Sequence, residues 1–317
     1  MNLSEDELLE AIRRVLSGAG PEVVVGPGDD AAVLARPVGE LLITTDVLVE
    51  GVHFERSLTS ARDLGYKSVV VNLSDVAAMA GSPRAAVCAL TISGPPDVAW
   101  TMELLGGMRE ACDEHALWLV GGDLSRGETT SIAVTVTGEV APGHAVLRSG
   151  AKPGDRLVVT GSLGGAAAGL RVSRDRHTWS RDERDAIRRH FRPSARVPEA
   201  KVLARLGATA MMDVSDGLAL DLTRMAVASG GGARLMLADI PVHPAATLDE
   251  ALGGGEDYEL LAALPDGTVD AAREELDDAL GVALTEIGVV IEGPLVAVAA
   301  DGSEGPLPPS GWDHFAG

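Results

Sequence analysis

Val23-Val24-Val25-Gly26-Pro27-Gly28-Asp29-Asp30-Ala31 carries three β-branched residues straight into a glycine loop that holds two carboxylates. The stretch fits the loose pattern G-x-G-x-x-A after a strand, and Glu50 stands 20 residues beyond Asp30, where a dinucleotide-binding fold would place its ribose acid. Two features reject that reading. A dinucleotide turn must open a long helix, but Pro37 and Gly39 arrive first and an apolar run, Leu41 to Thr45, follows as a strand ending at Asp46. Adjacent carboxylates would also repel a pyrophosphate, unless they hold metal ions against its oxygens. The loop therefore belongs to an α/β fold that is not a dinucleotide fold, and its charges would help phosphate binding only if they held metal against the oxygens.

The same signature recurs downstream. Leu117 to Val120 reads as a strand ending in Gly121-Gly122-Asp123, and Met211-Met212-Asp213 as a strand end followed by Asp216. Strand ends of α/β sheets are where ligands bind. Each aspartate alone is explained by a turn or cap. Together, Asp29, Asp30, Asp46, Asp123, Asp213 and Asp216 form an oxygen-rich set that suits Mg²⁺ or Mn²⁺. A helix predicted from Ala61 to Ala80, stopped by Gly81, places Ser68, Asn72, Asp75 and Met79 on one stripe amid Val69, Val70, Val71, Leu73 and Val76. Asn72 and Asp75 are thus expected to be buried polar groups. A cation or a backbone hydrogen bond would satisfy Asp75.

Other elements alternate along the chain. Ser4-Glu5-Asp6-Glu7 is a capping box before an apolar helical face. Strands are expected at Ala85–Ile92, Thr130–Val140, Arg156–Thr160, Glu259–Leu264, Leu284–Ile291 and Leu295–Ala299, and helices near Asp97–His115 and Gly217–Ser229. Ser149 to Asp155 is a turn-rich boundary, which divides the chain into domains 1–148 and 149–317. Gly161-Ser162-Leu163-Gly164-Gly165 precedes an Ala-rich helix; it could offer N–H groups to an anion, or simply allow close helix–strand packing. Residues Arg171 to His190 read as a charged, exposed helical excursion. His53 alone is more readily structural, Arg148 is either a surface arginine or a phosphate ligand, and Glu256-Asp257-Tyr258-Glu259 is an acidic turn after Gly253-Gly254-Gly255.

Composition sets the bounds. The 317 residues suffice for two domains, and aromatics make up only 3%, so the cores must be aliphatic. The net charge of −21 disfavours nucleic acid and anionic membranes as partners. Lysine is confined to Lys67, Lys152 and Lys201. Cys88 and Cys112 cannot form a disulfide framework and are expected to be core thiols. With no signal peptide and no apolar run of spanning length, a cytoplasmic location is expected. No P-loop and no protein-kinase signature occurs.

Eight short motifs, in order, resemble the thiamine-monophosphate kinase family: Gly28-Asp29-Asp30-Ala31, Thr44-Thr45-Asp46, Gly51-Val52-His53-Phe54, Asn72-Leu73-Ser74-Asp75, Gly121-Gly122-Asp123, Arg148 to Asp155, Asp213-Val214-Ser215-Asp216-Gly217 and Gly254 to Leu260. The resemblance runs to the Trp312-Asp313-His314-Phe315 tail. It implies a two-domain subunit of the aminoimidazole-ribonucleotide-synthetase type, whose N-terminal sheet joins a second copy's in a dimeric barrel. It implies ATP and thiamine monophosphate as substrates and several Mg²⁺ ions per site. It assigns metal binding to Asp30, Thr44, Thr45, Asp46, Asp75, Asp123, Asp213 and Asp216, ATP contacts to Gly122, Asp123, Arg148 and Ser215, and substrate contacts to His53, Glu256 and Trp312. The segment Arg171–Arg189 carries no motif of the family. Relatives in the superfamily that use cysteine or selenocysteine are disfavoured: no reactive cysteine lies in an N-terminal glycine segment, and the chain ends in Phe315-Ala316-Gly317. A non-catalytic nucleotide- or metal-binding dimer is the alternative from another class.

Overall fold

A computed structural model describes residues 20–27, 31–94, 97–175, 178–308 and 311. The expected N-terminal helix, the loop residues Asp29 and Asp30, and the Trp312 tail lie outside the described residues. The chain divides into two compact units between Gly143 and His144, with Ala77–Ala80 grouped in the second.

The first unit begins with a small antiparallel pair, β1 (Val23–Val25) and β2 (Val33–Leu34). Next come β3 (Glu40–Val49), helix α1 (Ala61–Ala78), β4 (Ser82–Ser93), helix α2 (Val98–Glu114), β5 (Trp118–Gly127) and β6 (Ser131–Val140). The four long strands form one sheet in the order β3-β6-β4-β5, antiparallel except for β4 beside β5.

Ser60 starts α1 by accepting from the Asp63 N–H at 3.0 Å. The helix ends at Ala78, two residues before the expected Ala80, and Ala80, not Gly81, takes the left-handed φ of 60°. The Gly81 N–H then closes on Val76 C=O at 2.9 Å. Gly81 is required for a different reason: a Cβ there would stand 2.5 Å from Leu42 Cδ1. Asp97 caps α2 from its side chain. The two helices cross at glycines. A Cβ on Gly65 would lie 1.9 Å from Leu104 C=O, and one on Gly107 would lie 1.8 Å from Arg62 C=O.

The second unit holds β7 (Arg156–Thr160), α3 (Gly165–Ser173), α4 (Arg181–Phe191), α5 (Val197–Arg205), β8 (Ala210–Asp213), α6 (Leu218–Ser229), β9 (Gly232–Met236), α7 (Leu248–Gly253), β10 (Leu260–Leu264), α8 (Val269–Leu280), β11 (Leu284–Ile291), β12 (Val296–Val298) and β13 (Glu304–Pro306). Its seven-stranded sheet runs β13-β12-β9-β11-β7-β10-β8. Leu157, Val159, Met212, Leu222, Met225, Leu235, Leu261 and Ile287 form its aliphatic core. The expected strands Arg156–Thr160 and Leu284–Ile291 form with those bounds.

Two expectations are corrected. Asp46 and Asp123 are not at strand ends. Ten consecutive residue pairs, Glu40↔Val140 to Val49↔Ser131, carry β3 past Asp46, and β4 pairing carries β5 past Asp123 to Gly127. The ladder overrides the local cost of a carboxylate in a strand. The segment Arg171–His190 is also not a wholly exposed excursion. Ala186 and His190 are buried, because α4 packs on α3.

Candidate active site

The sheet of the first unit sorts its predicted site residues by face. Side chains alternate along a strand, and Thr44 and Asp46 share the side turned to α1. Thr44 Oγ1 donates to Asp75 Oδ2 at 2.5 Å. Asn72 is fully buried and uses both ends of its amide: Oδ1 accepts from the Asp46 N–H at 2.9 Å and Nδ2 donates to Ser68 C=O at 3.0 Å. Because β3 is an edge strand, the Asp46 N–H faces away from β6. Asn72 supplies its missing partner. The buried polar stripe on α1 therefore locks Thr44, Asp46 and Asp75 into one cluster. Asn72 is satisfied by backbone groups, whereas Asp75 accepts from a side-chain hydroxyl rather than from the backbone the sequence reading offered it.

Thr45 and Asp123 lie on the other face. Register places Asp123 level with Ala89, which pairs with Ala133, which pairs with Val47. Asp123 is exposed and accepts from Ser125 Oγ at 2.8 Å. Thr45 Oγ1 accepts from Thr135 Oγ1 at 3.0 Å. Gly122 sits level with Cys88, and a Cβ there would meet Cys88 C=O at 2.0 Å, so the glycine also keeps β4 and β5 in contact. His53 Nδ1 accepts from the Val49 N–H at 3.0 Å, closing the turn after β3. That bond places the ring proton on Nε2. Leu41, Ile43, Val47 and Val87, also on the face opposite α1, are exposed.

In the second unit the β8–β10 ladder continues past both strands. Asp213 pairs with Leu260, the Val214 N–H donates to Glu259 C=O, the Tyr258 N–H to Val214 C=O, and the Glu256 N–H to Ser215 C=O, at 2.8 to 2.9 Å. Asp213, Ser215 and Glu256 are therefore brought to one sheet end. The ladder holds two non-glycine residues in left-handed conformations, Glu256 at φ 69° and Tyr258 at φ 51°. Such strain persists where surroundings over-determine it, and it clusters at functional sites. Asp221, fully buried at the start of α6, accepts from the Ser215 and Asp216 N–H groups at 3.1 and 3.0 Å. Burial pushes its carboxyl above the ordinary range, against the pull of those donors and Arg224. Arg224 bridges Asp221 and Asp216 at 2.7 and 2.5 Å. Arg148 is exposed, and its guanidinium has no hydrogen bond or ion pair among the described residues.

The N–H groups where the Gly161–Gly165 turn enters α3 are already occupied from within the chain. Asp257 already fills the N-terminus of α3, its carboxylate accepting from Gly164 N–H at 2.6 Å and Ala166 N–H at 3.0 Å. Burial pushes the Asp257 carboxyl up to about 7. Glu259, 2% exposed, is gripped by Arg196 at 2.6 and 2.7 Å, by Thr160 Oγ1 at 2.7 Å and by Arg189 at 3.3 Å. His190 Nδ1 lies 3.3 Å from Glu256 Oε2. Asn72 aside, these supporting groups were not predicted. Asp257 stood in a quoted motif with no role assigned, and nothing local marks Arg189, His190 or Arg196.

Among the described residues no three carboxylate, imidazole or thiolate groups converge as a metal cage. Asp30 and Trp312 lie outside those residues. Cys88 and Cys112 are free and buried, and burial pushes both thiols up to about 12. No helix among the described residues is long and apolar enough to cross a membrane.

Comparison with known proteins agrees with this architecture. Residues 28–140 match the family model "AIR synthase related protein, N-terminal domain", and residues 152–301 match the corresponding C-terminal domain. The chain is 41% identical over 315 residues to thiamine-monophosphate kinase of Escherichia coli K12, covering 93% of each chain. It is 35% identical over 324 residues to that of Aquifex aeolicus, covering 99% of this chain and 98% of the other. Among solved structures, thiamine-monophosphate kinase from Stenotrophomonas maltophilia K279a superposes with a TM-score of 0.84 at 34% identity, covering 96% of this chain and 98% of that one. AaThiL complexed with AMPPCP and TMP superposes with a TM-score of 0.77 at 33% identity, covering 99% of both. Hydrogenase maturation protein HypE, at 20% identity and a TM-score of 0.78, shares the fold. With both family domains matched in order and relatives above one-third identity along nearly its full length, the chain belongs to the thiamine-monophosphate kinase family.

Proposed function

We propose that the protein transfers the γ-phosphate of ATP directly to the phosphate of thiamine monophosphate, giving thiamine diphosphate and ADP in the cytoplasm. The observation that carries this reading is the match to a family member solved with an ATP analogue and TMP, at 33% identity across 99% of both chains. The acceptor is already an anionic oxygen, so no general base is needed. The difficulty is bringing two anions together in line on a chain of charge −21.

The donor set fits a hard cation. Thr44, Asp46 and Asp75 cluster on one face of the first sheet, Thr45 and Asp123 lie on the other, and Asp213 and Asp216 flank Ser215 in the second unit. All offer oxygen, and with Asp30 they would hold Mg²⁺. When bound, the metal supplies the charge neutralisation that lets the two phosphates approach. The chain's own groups do the rest. Arg148 contributes a free guanidinium to a phosphate, and Gly122, Asp123 and Ser215 contact the nucleotide. His53, Glu256 and Trp312 orient the thiamine moiety. The exposed aliphatic face of Leu41, Ile43, Val47 and Val87 supports a homodimer formed through the first sheet.

The test is thiamine diphosphate formation from thiamine monophosphate and ATP, with and without Mg²⁺. Metal-dependent product with one ADP per turnover is expected, with turnover largely lost in Asp75→Asn. ATP bound but never consumed would refute the kinase reading. Near-normal turnover of Asp75→Asn at saturating Mg²⁺ would refute the metal cradle.

A further inference from the structure

We propose that the second unit carries a separate anion site, a cleft that takes the diphosphate group of a small phosphorylated molecule. The cleft has a volume of about 560 Å³ and lies between α4, the Gly161–Gly165 turn and the loop that follows β9. That volume is in the usual range for a small-molecule site.

The sequence of α4 explains its lining. Arg181, Arg184, Asp185, Arg188 and Arg189 follow the spacing i, i+3, i+4, i+7, i+8, which is one face of a helix. All five line the cleft together with Asp182, Ser162, His243 and Pro244. Four arginines against two aspartates leave the lining at +2, with His243 neutral, in a chain whose net charge is −21. No predicted site residue lines it.

The arrangement is held in place before any ligand arrives. Asp185 accepts from Arg188 at 2.9 Å, from Arg189 Nε at 2.9 Å and from His243 Nε2 at 3.2 Å. His243 Nδ1 accepts from the Ala245 N–H, which leaves the proton on Nε2 for Asp185. The turn is tied to the loop after β9 by Leu163 N–H to Pro241 C=O and His243 N–H to Leu163 C=O. These contacts use only part of each guanidinium's five donors. Arg184 donates to Trp179 C=O, which leaves its charge unbalanced, and Arg181 has no acidic partner among the described residues. Preorganised, incompletely neutralised arginines bind phosphate oxygens with strong, charge-assisted hydrogen bonds.

The stripe also sets the ligand class. Arg181 and Arg188 are seven residues apart, about 10 Å along the helix axis. One phosphate can engage one turn of that stripe, whereas two linked phosphates can engage both. The site stands apart from the kinase reading, because it needs no metal and none of the kinase residues.

Isothermal titration calorimetry with inorganic pyrophosphate in excess EDTA tests it. The chelator keeps the aspartate site from attracting phosphate. Saturable binding is expected, unchanged in Arg148→Ala and weakened about 100-fold in Arg181→Glu/Arg184→Glu, since two charge-assisted contacts are lost. Both replaced side chains are exposed, and an unchanged melting curve confirms that the double variant folds. Absent binding, binding that survives the double reversal, or binding abolished by Arg148→Ala would each overturn the proposal. Equal affinity for inorganic phosphate and pyrophosphate would overturn the diphosphate assignment.

Discussion

Replacing Glu259 by Gln removes one charge from the most enclosed ion pair among the described residues of the second unit. Glu259 is 2% exposed and Arg196 14%, and Arg196 holds it through two bonds of 2.6 and 2.7 Å. Thr160 and Arg189 add two more. A glutamine keeps one acceptor oxygen but turns an NH₂ group toward donors, so at least one bond is lost and two donors are set against each other. Breaking a buried pair from one side costs about 3–5 kcal/mol. Arg196 retains Glu199 at 3.1 Å, which places the expected loss near the lower bound, about 3 kcal/mol. For a unit of this size, about 2–4 °C per kcal/mol gives a fall in Tm of about 6–12 °C. Differential scanning fluorimetry reads that shift, and circular dichroism at low temperature checks that the variant is folded. Pairing Glu259→Gln with Arg196→Met should recover part of the loss, since no unpaired charge stays buried. A drop under about 2 °C for the single variant would refute the claim that this pair anchors the Glu256–Glu259 turn.

Two further predictions follow from buried groups. Asp257 binds its proton more tightly when folded than unfolded, so the native state holds the extra proton between pH 4 and about 7, and stability falls as pH rises through that window; Asp257→Asn should flatten that slope in Tm measured from pH 5 to 8, and an identical slope in both proteins would sink the assignment. Asn72→Ala leaves the Asp46 N–H without its acceptor and opens a void in α1, costing about 2–3 kcal/mol; an unchanged denaturation midpoint would show that β3 does not depend on it.

Much of the fold was legible because its signals are local. Apolar runs bounded by glycine gave β7 and β11 their limits, and the valines and leucine around Asn72 gave α1. The same local logic failed at Asp46 and Asp123. A carboxylate reads as a strand terminator, but the β6 ladder outweighs it at Asp46 and the β4 ladder at Asp123. Which face each aspartate occupies depends on register across three strands, which no single strand encodes. The motifs named the candidate site, while its support was invisible. Arg196 and Glu259 are 63 residues apart, Arg189 and Glu259 are 70, and a charged helix with no motif gives no hint that it grips an acidic turn. The glycine turn before α3 was ambiguous for the same reason: its occupant, Asp257, comes from more than 90 residues away.

The crossing of α1 and α2 at Gly65 and Gly107 works as an index mark. Backbone meets backbone there with no side chain between to yield, so α1 can neither slide nor rotate without collision. Asn72 and Asp75 stand about 10 and 15 Å further along the same rod. Their reach to β3 is therefore measured from that crossing. A single methyl added at either glycine would part the helices and swing the distant carboxylate away from Thr44, though it touches no residue of the site. The position of Asp75 is in this sense written in two residues that have no functional group at all.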